Sequence, residues 1–147
     1  MTEIRPRRSV LYMPGANERA LEKAKTIDAD ALILDLEDSV APDSKEQGRA
    51  NVVAAVKSGE YGRRELAIRV NSIGTQWHDS DIVAAAAAGP DAILVPKVES
   101  AEQVLSLVAA IEAAGAPAHT QLWAMIETPK ALLHAEEIAA AHERLTV

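Results

Sequence analysis

Short apolar runs alternate along the chain with longer stretches whose apolar residues recur every three or four positions. The runs fall at 9–13, 31–36, 66–70, 92–95 and 122–126, and each is nearly continuous in hydrophobic residues. A strand buried on both faces reads this way, because neither side of the pleat meets water. The stretches between them, 17–27, 44–57, 75–87, 100–113 and 129–142, are rich in Ala, Glu, Lys and Leu and predict helices. Asn17 and Ser100 stand where N-caps belong, and Glu102 follows Ser100 in the first turn, where an acid meets the positive end of the helix dipole. Pro129 suits a first-turn position, while Gly59, Gly89 and Gly115 follow helical stretches as stops.

Five βα units in a row predict an α/β fold with a parallel sheet and right-handed crossovers. Two architectures accommodate them. One is a five-stranded doubly wound open sheet, which this length would just fill. The other is the first five units of a (β/α)8 TIM barrel, a fold of about 250 residues. Periodicity alone does not choose. No linker or low-complexity segment divides the chain, so residues 1–147 are expected to belong to one domain.

The polar residues at the strand ends change the picture. The second run leads into Asp35, Glu37 and Asp38, the third carries Arg69 and Asn71, the fourth leads to Lys97, and the fifth ends on Glu127 and Thr128. The steps from Glu37 to Arg69 to Lys97 to Glu127 are 32, 28 and 30 residues, about one βα unit each. An open sheet concentrates ligand contacts at its switch point. A barrel turns every strand's C-terminal end toward one common mouth. Charged groups on four successive strand ends therefore favour the barrel.

Those residue types also suggest a chemistry. Glu127, helped by Glu37 and Asp38, offers hard oxygen ligands suited to Mg²⁺. Arg69 presents a planar fork that matches a carboxylate bidentately. Lys97 can hold a carboxylate, or act chemically if its pKa is depressed. A metal facing an arginine suits a 2-oxo or 2-hydroxy acid chelated through its carboxylate and α-oxygen. By contrast, His78, His119, His134 and His142 show no ligand spacing and read as surface or loop residues, and Trp77 and Trp123 read as packing. Met13-Pro14-Gly15 reads as a strand stop and tight turn, and the helix start after it could receive a phosphate.

Composition narrows the class. Of the 147 residues, 48% are hydrophobic and 25% charged, ordinary for a globular protein. The net charge of −7 and the lack of a basic stripe argue against a nucleic-acid partner. The absence of cysteine excludes disulfides, thiolate metal sites and cysteine nucleophiles. Residues 1–8 are charged with no apolar stretch behind them, so no secretory signal is read. No apolar run approaches the ~20 residues of a membrane span, and a cytoplasmic protein is the expectation.

The blocks RRSVLYMPG at 7–15, LDLEDSVAP at 34–42, IRVN at 68–71, VPKVES at 95–100 and MIETP at 125–129 resemble the citrate lyase β-subunit-like group of the HpcH/HpaI aldolase family, which includes malyl-, citramalyl- and citryl-CoA lyases. They run in family order through nearly the whole chain. The resemblance implies a (β/α)8 barrel of nearly twice this length, usually a homotrimer or hexamer. It also implies Mg²⁺-assisted cleavage of a 3-hydroxyacyl-CoA thioester into an acetyl thioester and an oxo acid. By motif, Glu127 would be the metal ligand and Arg69 would bind the substrate carboxylate. Glu37 and Asp38 would hold metal-bound water, with Lys97 as their charge partner. The Arg8 region leading into Pro14 and Gly15 would be CoA-side surface, and a second metal-ligating aspartate is expected beyond Val147. Two alternatives stand beside this reading: a Schiff-base aldolase using Lys97, and a non-catalytic truncated member of the family.

Overall fold

The computed structural model describes residues 5–147. Five strands, β1 (Val10–Pro14), β2 (Ala31–Asp35), β3 (Glu65–Arg69), β4 (Ala92–Val95) and β5 (Gln121–Ala124), form one sheet in the order 1-2-3-4-5. Every pairing is parallel. A doubly wound sheet needs a point where the strand order reverses. This sheet has none, and the sequential order is that of a barrel wall.

Helices α1 (Glu18–Ala24), α2 (Lys45–Ser58), α3 (His78–Ala88) and α4 (Ala101–Ala113) follow the first four strands. Their boundaries have local causes. The Asn17 side chain accepts the Ala20 N–H and Ser100 accepts the Gln103 N–H, as N-caps do. Gly59 and Gly89 end α2 and α3 in the left-handed conformation. The fifth helical stretch departs from expectation. It splits into α5 (Pro129–Leu133) and α6 (Ala135–Ala139) at His134, whose ψ of 13° interrupts the spiral. The break turns Ile138 into the core and leaves Leu132 and Leu133 exposed.

The two faces of the sheet carry different cores. Leu32, Leu34, Ile68, Ile93, Val95 and Leu122 face the helices and pack with Val52, Ile82, Val104 and Ile111. Ala31, Ile33, Ala67, Ala92, Leu94 and Trp123 line the opposite, inner face. Successive side chains alternate between these faces, so Asp35 and Arg69, paired in register at the strand ends, both belong to the inner one. At the sheet's first edge, Val10, Leu11 and Tyr12 are exposed. The other edge is partly covered. The Leu122 N–H donates to the Arg144 carbonyl, and the Thr146 N–H to the Leu122 carbonyl, with Leu122 and Leu145 forming a parallel bridge. These contacts lay residues 144–146 along β5, an edge pairing that the apolar pattern did not reveal. Among the described residues, no helix is long and apolar enough to cross a membrane.

Candidate functional site

The C-terminal ends of β2 to β5 bring Glu37, Arg69, Lys97 and the approach of Glu127 together, as the sequence spacing anticipates. Their pairing is more specific than the spacing told. Arg69 gives its fork to Asp35, with Nε to Oδ1 and Nη2 to Oδ2 both at 2.7 Å. Its Nη1 lies 3.0 Å from Glu37 Oε2, and its guanidinium sits 4.8 Å from the centroid of the Tyr12 ring. The expectation that Arg69 offers a free fork to a ligand is therefore corrected: the Nε edge is committed to Asp35. What remains is the end of the guanidinium, held rigidly by a carboxylate beneath and a ring alongside.

Asp35 is fully buried and accepts five hydrogen bonds, two from Arg69, two from Ser39 and one from the Glu37 backbone. Burial alone would push its carboxyl up. The Arg69 and Ser39 hydrogen bonds and the Arg69 charge outweigh that and hold it below the ordinary carboxylate value. The Arg69 guanidinium is raised in turn, its desolvation overcome by Asp35.

Glu37 is buried, and its Oε1 accepts Lys97 Nζ at 2.5 Å and Ser72 Oγ at 3.0 Å. Its Oε2 has no hydrogen bond among the described residues, since the nearby Arg69 nitrogen makes charge contact without hydrogen-bond alignment. Lys97 is held protonated, its pKa raised chiefly by the hydrogen bond to Glu37. A raised pKa opposes the free amine that a Schiff-base nucleophile needs. Asp38, expected beside Glu37, turns outward and is exposed.

Glu127 is exposed at the mouth, not buried in the strand as its apolar run suggested. The reason is that β5 ends at Ala124, three residues before it. It forms no ion pair among the described residues, because the cations in reach are taken by Asp35 and Glu37. Its one hydrogen bond among the described residues comes from the backbone N–H of Lys97, which donates to Oε1 at 3.0 Å. Lys97 is the one non-glycine residue with positive φ, 54°, among those described. That conformation costs an L-residue about 1–2 kcal/mol. Thr128 caps α5 and donates from Oγ1 to Glu99, fixing the turn behind Glu127.

Several supporting residues escaped the sequence reading. Lys45 is buried and donates to the carbonyls of Leu36 and Glu37 and to Asn71 Oδ1. Desolvation lowers its pKa, and its ammonium lies 5.1 Å from the centroid of the Trp77 ring. Asn71 in turn donates to Leu36 O and to Asp81, which also accepts from Arg49. His78, read as a surface residue, is buried with Nδ1 2.7 Å from the Asn71 carbonyl. This lattice fixes the backbone from which Glu37 projects.

Pro14 and Gly15 also lie on the mouth side. A Cβ at Gly15 would sit 2.7 Å from the Asp35 carbonyl and 2.8 Å from Val52, so only glycine lets β1 leave the sheet here. α1 has only seven residues, and the Asn17 side chain already takes one of its first-turn N–H groups, which leaves its N-terminus a poor match for the phosphate suggested by the sequence. Arg8 is not brought to the mouth. It precedes β1, at the opposite end of the strands, where it pairs with Asp30 through its backbone N–H, Nε and Nη2. The sequence block was contiguous, but the length of β1 separates its two ends.

A single exposed carboxylate with no ion pair among the described residues suits a hard divalent cation that takes few protein ligands and several waters. No group of three His, Cys, Asp or Glu poised to cage a metal exists among the described residues. The donor set therefore fits Mg²⁺ and does not fit a closed structural site.

The family model for HpcH/HpaI aldolase/citrate lyase matches residues 8–147. The chain belongs to this family. It is 46% identical over 144 residues to a (3S)-malyl-CoA thioesterase of Cereibacter sphaeroides, covering 98% of this chain and 48% of that protein. It is 40% identical to an L-malyl-CoA/beta-methylmalyl-CoA lyase of the same species, covering 96% of this chain and 46% of that protein. Among solved structures, protein CitE from Mycobacterium tuberculosis, in complex with magnesium, acetoacetate and coenzyme A, superposes with a TM-score of 0.72 at 31% identity, covering 93% of this chain and 47% of that one. The chain thus spans about half the length of the family members it matches.

Proposed function

We propose that the protein carrying this chain is a Mg²⁺-dependent lyase that cleaves a malyl-, citramalyl- or citryl-type CoA thioester into an acetyl thioester and an oxo acid. The observation that carries the reading is Glu127, an exposed mouth carboxylate with no ion pair among the described residues. Beside it lies the buried Glu37, whose Oε2 lacks a hydrogen bond. Relatives that act on malyl-CoA and a neighbour solved with magnesium, acetoacetate and coenzyme A support it.

A Mg²⁺ held by Glu127, with other ligands from water, substrate and a carboxylate outside residues 5–147, would supply Lewis-acid polarisation of the substrate's α-oxygen. The remaining work falls to the chain's own side chains. Asp35 and Tyr12 hold the Arg69 guanidinium rigid, so its Nη1 end, which meets Glu37 at 3.0 Å, can orient a substrate carboxylate at little entropic cost. Glu37, held by Lys97 and Ser72, sets a carboxylate against the end of that guanidinium. Lys97 pairs with Glu37 and stays protonated itself. In the cleavage, the hydroxyl proton leaves, the bond between the hydroxyl-bearing carbon and the thioester's α-carbon breaks, and the electron pair passes to that α-carbon, which takes up a proton.

Hydrolysis of the thioester is the second reading, favoured by the 46% identity to a malyl-CoA thioesterase. Products separate the two. Carbon–carbon cleavage of malyl-CoA yields acetyl-CoA and glyoxylate, whereas hydrolysis yields malate and free CoA.

The ligand assignment is tested by Glu127→Gln in the protein expressed from its whole reading frame. Mg²⁺ affinity by calorimetry should fall at least about tenfold, as loss of a metal ligand or its support does. The metal-free thermal midpoint should barely move, since Glu127 pairs with no cation among the described residues. Unchanged Mg²⁺ binding would remove the centre of the mechanism.

A further inference from the structure

Resting on the assignment of Glu127 as cation ligand, we infer that Lys97 is a positioning residue that acts through its backbone: its left-handed conformation aims the amide N–H at Glu127 and so presets the ligand carboxylate. Three observations converge on it. β4 and β5 remain paired as far as the Met125 N–H, which donates to the Val95 carbonyl at 3.0 Å. The next residue, Pro96, has no N–H to continue the ladder. Lys97 is then the first free donor on β4's extension, and it donates at 3.0 Å to Glu127 Oε1 on the extension of β5.

The positive φ is what lets one residue serve both neighbours. Pro96 and Val98 are buried, so the chain on either side of Lys97 is fixed by packing. With both flanks fixed, a change of φ at Lys97 must rotate the peptide plane that carries its N–H. In the left-handed form that N–H faces Glu127 while the side chain reaches Glu37. The acid of strand β2 and the acid of strand β5 are thus tied through two different atoms of one residue. The ammonium is the part a sequence comparison sees; the amide is the part that touches the ligand.

The two roles separate cleanly by substitution. Lys97→Gly, Lys97→Asn, Lys97→Ala and Lys97→Val all remove the ammonium. They differ in their tolerance of positive φ, which glycine adopts freely, asparagine readily, alanine with difficulty and valine hardly at all. In the protein made from its whole reading frame, with Mg²⁺ alone as the calorimetric probe, Lys97→Gly and Lys97→Asn should bind within about threefold of each other. Lys97→Ala should be weaker and Lys97→Val at least about tenfold weaker, the range seen when the partner of a metal ligand is lost. Should Lys97→Val fail to fold, Lys97→Gly against Lys97→Ala carries the test. The order should persist below each variant's unfolding midpoint, which a purely structural role does not predict. A flat series, with Glu127→Gln still impairing binding, overturns the proposal and leaves the ligand assignment standing. Unchanged binding in Glu127→Gln brings down the assignment and the proposal together.

Discussion

The two ends of the strands carry the same device. At the mouth, Arg69 grips Asp35 bidentately and lies over the Tyr12 ring. At the floor, Arg7 grips Glu65 bidentately, at 2.6 and 2.8 Å, and lies 5.0 Å from the centroid of the Trp123 ring. A guanidinium, a carboxylate and an aromatic face therefore do not by themselves make a reactive site. The mouth differs in surplus. Beyond its pair it holds Glu37, shared between Arg69 and Lys97, and Glu127, which has no ion pair among the described residues. At the floor, among the described residues, Arg7 pairs with Glu65, Arg5 with Asp91, Arg8 with Asp30 and Arg63 with Asp28. The mouth thus holds a carboxylate without an ion pair among the described residues, whereas the floor's acids are paired.

Removing the acid at each end should show the largest difference. The Arg69 and Asp35 side chains are 10% and 1% exposed, whereas Arg7 is 32% exposed above Glu65. Asp35→Asn should cost about 3–5 kcal/mol in urea unfolding, because it strands a buried guanidinium. Glu65→Gln should cost clearly less, since water reaches the arginine left behind. Equal losses would break the comparison. The mouth pair also predicts a pH dependence. The folded Asp35 pKa lies below its ordinary value of 3.8, so its contribution is complete above that value and is lost as pH falls through the lowered one. Asp35→Asn should flatten that part of the acid limb.

Kinetics sharpen the contrast at smaller cost. Arg69→Lys keeps the charge but loses the planar end, and kcat/KM should fall at least about tenfold, roughly 1.4 kcal/mol. Arg7→Lys, the same change at the floor, should leave kcat/KM near the unsubstituted value. Comparable losses at both ends would assign Arg69 a structural role only. The smallest effect is expected at Arg8, whose side chain is 77% exposed. Arg8→Ala should leave the KM for the CoA thioester unchanged in steady-state assays. A raised KM would place the thioester's carrier along the floor and join the two ends functionally.

Much of this architecture was legible in the sequence, because a strand buried on both faces leaves a continuous apolar run. All five runs became strands, shifted by a residue or two. The coincidence of Glu37, Arg69 and Lys97 followed from one charged strand end per βα unit. What stayed hidden depends on direction. Since both faces of β2 are apolar, its hydrophobicity could not tell that Asp35 faces inward with Arg69. Arg8 and Gly15 fall in one sequence block, yet a strand runs between them and sends them to opposite ends. The break at His134 left no mark either, as Ala, Leu and Glu on both sides favour helix. Backbone conformation was the least visible of all, for nothing in VPKVE announces a left-handed lysine.

The strictly sequential strand order has a consequence for how the chain acquires its shape. Each strand pairs with the one just before it in the sequence, so no contact in the sheet waits on a distant segment. Loop-closure entropy is then met in small instalments, one crossover at a time. A ribosome releasing this chain from its N-terminus would present each new strand to an edge already formed. Assembly could keep pace with synthesis, with the wall growing always at its newest strand while β1 holds its outer edge open from the start.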